Sequence, residues 1–148
     1  MKRVALGVAA LAAALTVACP AVAASPASAA PASASTGVKW TSFDWDHAMT
    51  TGACRISKGA KWTLYSNGQA HFDARVSSAE GDDAWLMWAS LLDNQGAVLG
   101  EIRVSGSRST KFVQNLPRAY WLYRWQADGQ FDARLYDQVD SIVLSKHC

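Results

Sequence analysis

The strongest constraint on this chain is a period-two alternation of apolar and polar side chains over residues 60–76, interrupted once by an Asn-Gly pair. Trp62 and Leu64 precede the break, and Phe72, Ala74 and Val76 follow it at the same spacing. Only an extended backbone puts alternate residues on one face, so the segment reads as two strands. Asn67-Gly68 between them tolerates the positive φ angles of a tight hairpin turn. His71, Asp73 and Arg75 then point outward. Turn signals recur along the rest of the domain at about ten-residue spacing, the pattern of an all-β protein.

The same reading assigns the remaining elements. Trp40 to Trp45 and Ala53 to Ser57 are early strands. Ala84 to Leu92 is apolar on both parities, which predicts a central strand covered on both sides. The turn Asp93 to Gly96 leads into a half-exposed strand, Ala97 to Ser105. Lys111 to Leu116 and Arg118 to Gln126 are two strands broken by Pro117. Asp132 can cap a short helix bearing Leu135 and Val139, and Ser141 to Cys148 is the last strand. The expected fold is a single-domain antiparallel β-sandwich of roughly seven to nine strands, with at most one short helix near the C-terminus. A closed β-barrel is the alternative. The expected core is Trp62, Leu64, Phe72, Trp85, Met87, Trp88, Leu91, Ile102 and Ile142. Phe-Asp-Ala-Arg occurs at Phe72 to Arg75 and again at Phe131 to Arg134, but the flanking residues differ and no repeat is inferred.

The first residues follow a different rule. A basic start, an apolar run from Val4 to Ala18 and the small-residue site Ala21-Val22-Ala23 read as a secretory signal peptide, residues 1–23, with cleavage as late as residue 29 as the alternative. The apolar run is short for a membrane span. Residues 24–37, almost entirely Ala, Ser and Pro, read as a flexible stalk, and residues 38–148 as the β domain. Cys19 follows Leu15-Thr16-Val17-Ala18, a loose likeness to a lipoprotein cleavage box, which offers lipid anchoring as a minor alternative to secretion. Removal of the leader takes Lys2 and Arg3 with it and leaves twelve basic against twelve acidic residues. A neutral chain with no run of Lys or Arg has no sequence signal for nucleic acid or a membrane surface as partner.

Cys54 and Cys148 remain after the leader, an even number in an exported chain, and a disulfide is the leading assignment. A metal site using His147 beside Cys148 is the rival, although paired zinc spacing is absent. His71 with Asp73, and His47 with Asp46 and Asp44, are the candidate catalytic clusters, set against solvated strand and turn polar groups. Glu80, Asp82 and Asp83 form the densest acidic stretch and a candidate calcium site, without EF-hand spacing, against a solvated hairpin loop. No phosphate loop, nucleophile elbow or paired-Cys motif is present, and no cofactor is expected.

All fifteen aromatic residues lie at or after Trp40, more than a domain of this size readily hides. Tyr120, Trp121, Tyr123 and Trp125 crowd one predicted strand, where an outer row would serve as a stacking platform for sugars or an anchor for a protein.

The wording from Cys54 through Trp62-Thr63-Leu64-Tyr65, Asn67-Gly68, Phe72 to Arg75 and Asp83 to Trp88, ending in Cys148, resembles a family of small secreted actinobacterial proteins classed as a domain of unknown function. The likeness covers nearly all of the mature domain. It implies secretion, that lineage and a paired Cys54 and Cys148, and carries no activity or site. The functional expectation is a secreted, non-catalytic binding module for an extracellular glycan or protein. The alternatives are a small hydrolase using the carboxylate and histidine clusters, and a proteinase inhibitor presenting Arg108 from the loop Gly106 to Thr110.

Overall fold

The computed structural model describes residues 37–148. The expected signal peptide, its cleavage alternatives, nearly all of the expected stalk and Cys19 lie outside the described residues. In chain order the elements are β1 (Trp40–Trp45), β2 (Met49–Thr51), β3 (Cys54–Ile56), β4 (Ala60–Tyr65), β5 (Gln69–Ser78), β6 (Asp83–Leu92), β7 (Val98–Glu101), β8 (Arg103–Val104), β9 (Phe112–Leu116), β10 (Tyr123–Gln130), a 3-10 helix (Ala133–Gln138) and β11 (Ser141–His147). A larger sheet has the order β1-β4-β5-β10-β8, with β3 on β5 and β2 on β3. A smaller sheet centres on β6, flanked by β11 and by β7 and β9. All strand pairs in both sheets are antiparallel, and neither sheet closes into a barrel. The fold is therefore the β-sandwich form of the sequence expectation.

The hairpin of β4 and β5 sets the frame. Trp62 pairs with Phe72 and Leu64 with Ala70 in register, all buried, while Lys61, Thr63, His71 and Asp73 take the opposite face. In the turn only Gly68 has positive φ, at 86°; Asn67 contributes through its side chain, whose carbonyl accepts the Gln69 N–H. The core between the sheets is aromatic, with Phe72 packed edge-on against Trp125 at 5.1 Å and Trp62 against Phe112 at 5.3 Å between ring centroids.

Four expectations are corrected. The strands number eleven rather than seven to nine, because two strands of only two or three residues, β2 and β8, are added to those expected. The strand expected over Ala97 to Ser105 is two strands in different sheets. The chain crosses at Ile102, which is fully buried and donates its N–H to the Ala89 carbonyl. β6 is central within its sheet but covered on one face only. Trp85, Met87, Ala89 and Leu91 are buried, whereas Leu86, Trp88 and Leu92 are half-exposed on the outer side, so Trp88 is not a core residue. The other eight expected core residues are buried. Finally, Arg118 to Leu122 is a loop: β10 starts at Tyr123 and runs to Gln130. The second Phe-Asp-Ala-Arg leads into the 3-10 helix, capped by the Asp132 carboxylate on the Arg134 N–H, so the two copies share no structure.

Candidate functional site

Cys54 and Cys148 form a disulfide, with 5.7 Å between their Cα atoms, tying β3 to the residue that follows β11. The Asp83 carboxylate approaches both sulfurs, and Cys54, Asp83 and Cys148 are the one group of three potential metal ligands that converges among the described residues. A disulfide sulfur is not a thiolate, so this convergence is a redox-locked corner and not a metal cage. Asp83 also accepts a hydrogen bond from the buried Ser78 hydroxyl, whose oxygen in turn accepts the Glu80 and Gly81 N–H groups. Glu80, Asp82 and Asp83 do not converge on a common point, which removes the geometric basis of the calcium candidate. Exposed His147 is outside the converging group.

The histidine clusters resolve into separate pairs. His47 Nδ1 lies 2.9 Å from Asp46, both well exposed, and the hydrogen bond from His47 holds the Asp46 carboxyl below its ordinary range. His71 pairs with Asp128 across the sheet, Nδ1 to Oδ1 2.7 Å, and not with Asp73. Asp73 is engaged by Arg124, at 2.6 Å from Nη2 and 3.3 Å from Nε, and the guanidinium keeps its carboxyl below the usual carboxylate range. Ser105 shares the groove with His71, but its N–H bonds the Asp128 carbonyl from β10's other edge. Asp128 is thus on the strand between His71 and Ser105, and among the described residues no hydrogen bond joins the His71 imidazole to a hydroxyl, as a triad requires.

The aromatic candidates divide by depth. Trp125 is 2% exposed and belongs to the core, and Tyr123 is half-buried with its hydroxyl accepting the Arg118 N–H at 3.0 Å. Tyr120, Trp121 and Leu122 are 82%, 55% and 50% exposed. A strand would alternate these faces; the loop instead turns three consecutive large side chains outward. Tyr120 has φ of 59°, a left-handed conformation rarely adopted by a side chain of its size. The loop is fixed by the Tyr120 N–H to the Ser78 carbonyl at 2.6 Å and by Arg118, whose guanidinium lies 5.4 Å from the Trp121 ring centroid. Arg108 sits in a tight turn closed by the Val104 N–H to Ser109 carbonyl and Ser107 N–H to Val104 carbonyl bonds.

Sequence order concealed a further feature. Lys58, Lys61, Arg75 and Arg124 share a groove of about 440 Å³ on the outer face of the larger sheet, with Asp73 its one lining carboxylate. Lys61 is the register partner of Asp73, and Arg75 of Arg124. A cationic patch is thus built by pairing strands that are distant in sequence, although the chain holds no basic run. The only cue was that Lys61 and Arg75 share the outward parity of one hairpin.

A disulfide-closed antiparallel β-sandwich, with a basic groove on one sheet and a rigid aromatic loop at its end, is the class of protein that these features define. Residues 61–148 match the family of unknown function DUF6294, and the chain belongs to that family. No curated protein and no solved structure matches the chain. No helix among the described residues is long and apolar enough to cross a membrane.

Proposed function

We propose that the protein is a secreted, non-catalytic binding module, one of the small actinobacterial proteins its sequence resembles, that grips a partner protein outside the cell through Tyr120, Trp121 and Leu122. The observation that carries this reading is the outward display of three large side chains on a loop whose backbone is held in a costly conformation. A pre-fixed loop loses little entropy on binding, and Trp and Tyr are the residues that most often dominate protein interfaces. A sugar platform at this loop is less favoured, because Trp125 lies in the core and Arg118 covers part of the Trp121 ring. Hydrolysis draws little support, because His71 is held by Asp128 and Asp73 by Arg124, and inhibition draws little, because the exposed Arg108 is flanked only by small residues, Gly106, Ser107, Ser109 and Thr110. The test is saturable binding of labelled protein to washed cells of its source before and after surface proteolysis. Loss of binding on proteolysis and in a Tyr120→Ala, Trp121→Ala variant is expected. Binding that survives both would sink the reading.

A further inference from the structure

The basic groove is separate from the loop and is argued independently of it. Arg75 and Arg124 stand directly opposite each other on β5 and β10, both exposed. Like charges in that position repel. Asp73 pairs with Arg124 and also accepts a hydrogen bond from the Gln126 amide, and among the described residues no carboxylate lies within ion-pairing distance of Lys58, Lys61 or Arg75. Four cations line the groove with Asp73 already engaged, and Asp44, the register partner of Lys61 on β1, is the other carboxylate beside them; the remaining excess of positive charge is a repulsion that an added anion relieves, in a volume suited to a small ligand group.

The same face continues along the strands with different chemistry. Thr63 and His71 follow Lys61 and Asp73, and a second groove of about 470 Å³ is lined by Tyr65, Gln69, His71 and Asp128. Trp40, exposed on β1, is the register partner of Tyr65. From Arg75 to Gln69 the face extends about 20 Å, the rise of six strand residues. Cations at one end, with hydroxyl and amide groups and the His71–Asp128 pair in the middle and aromatic rings beyond, match a hydroxyl-rich chain whose anionic groups lie at the cationic end. Single-stranded nucleic acid is the competing polyanion, and its comparison with the polysaccharide is one arm of the test. We propose that the outer face of the larger sheet binds an acidic polysaccharide, with the carboxylates of its uronic acid units held by Lys58, Lys61, Arg75 and Arg124.

Isothermal titration of the purified protein with oligogalacturonate, its fully methyl-esterified form and a single-stranded DNA oligonucleotide tests this. Saturable binding of oligogalacturonate that weakens with added salt, and no binding of the ester, is the expected result. The Lys61→Gln, Arg75→Gln variant is expected to lose about tenfold or more in affinity, with an unchanged unfolding midpoint showing that it is folded. Trp121→Ala is expected to retain full affinity, which separates this site from the loop. Equal binding of the ester, tighter binding of DNA, an unaffected double variant, or loss of affinity in Trp121→Ala with retention in the double variant would each overturn the proposal.

Discussion

Arg75 and Arg124 face one another across the β5–β10 ladder, two exposed guanidinium groups paired in register, with the neighbouring carboxylate, Asp73, held by Arg124. The fold keeps this repulsion in its longest inter-strand pairing. Arg75→Gln is therefore expected to leave stability unchanged or raise it by about 0.2–1 kcal/mol at low ionic strength. The gain should shrink as salt screens the pair. Urea midpoints at two salt concentrations measure it, and a destabilised Arg75→Gln would show that Arg75 has a structural partner instead.

Tyr120 is the position where stability and binding are expected to part company. Its left-handed backbone is free of steric cost for glycine and not for tyrosine. Tyr120→Gly should unfold within about 1 kcal/mol of the wild type, because relief of strain offsets the added freedom of the unfolded chain. Tyr120→Ala, which keeps the strained backbone and loses the ring, should be the less stable of the two. Both are expected to weaken the proposed attachment to a partner protein.

The disulfide spans 94 residues. Closing a loop of that length lowers the entropy of the unfolded chain enough to contribute about 4 to 5 kcal/mol. A Cys54→Ala, Cys148→Ala variant should show a correspondingly lower urea midpoint. The oxidised protein should present neither of these residues as a titratable thiol in denaturant; two free thiols there would refute the bond.

Acid should loosen the start of the 3-10 helix. Asp132 is held at a pKa of about 2, below its ordinary 3.8, first by the side-chain hydrogen bond from Arg134 and then by the Arg134 backbone N–H. A carboxyl whose folded pKa is depressed adds stability that is fully present above its unfolded value. That stability is lost as pH falls from about 4 through about 2. Asp132→Asn should flatten the acid limb of the stability profile in that window, and carboxyl NMR titration should place the Asp132 midpoint near the lower end.

The parts of the fold readable in the sequence were those where one short segment contains its own answer. The β4–β5 hairpin has its alternation and its turn within 19 residues, from Ala60 to Ser78, and its inward residues are the buried ones. Trp88 was misassigned because an apolar run does not report whether a second layer lies beyond it. Here the outer face of the smaller sheet keeps Val113 and Val143 exposed as well. Arg118 to Leu122 read as strand from composition, while its course is decided by Ser78, some 40 residues earlier in the chain, whose carbonyl takes the Tyr120 N–H. The basic groove was invisible for the same reason in stronger form. Lys58 and Arg124 lie on segments that only the β4–β5–β10 order makes neighbours. Charge runs capture patches along a chain, and this patch runs across it.

The pairing of β5 with β10 has a kinetic meaning. Gln69 to Val76 pair with Gln130 to Tyr123 across the strands intervening in sequence, so the centre of the larger sheet cannot assemble from local hairpins alone. Such non-local closure places folding in the range of about milliseconds to seconds. Through that interval the β5 edge is an open template for another chain. His71, Asp73 and Arg75 along that edge, polar at every second position, make it a poor template for strangers while it waits for its own partner.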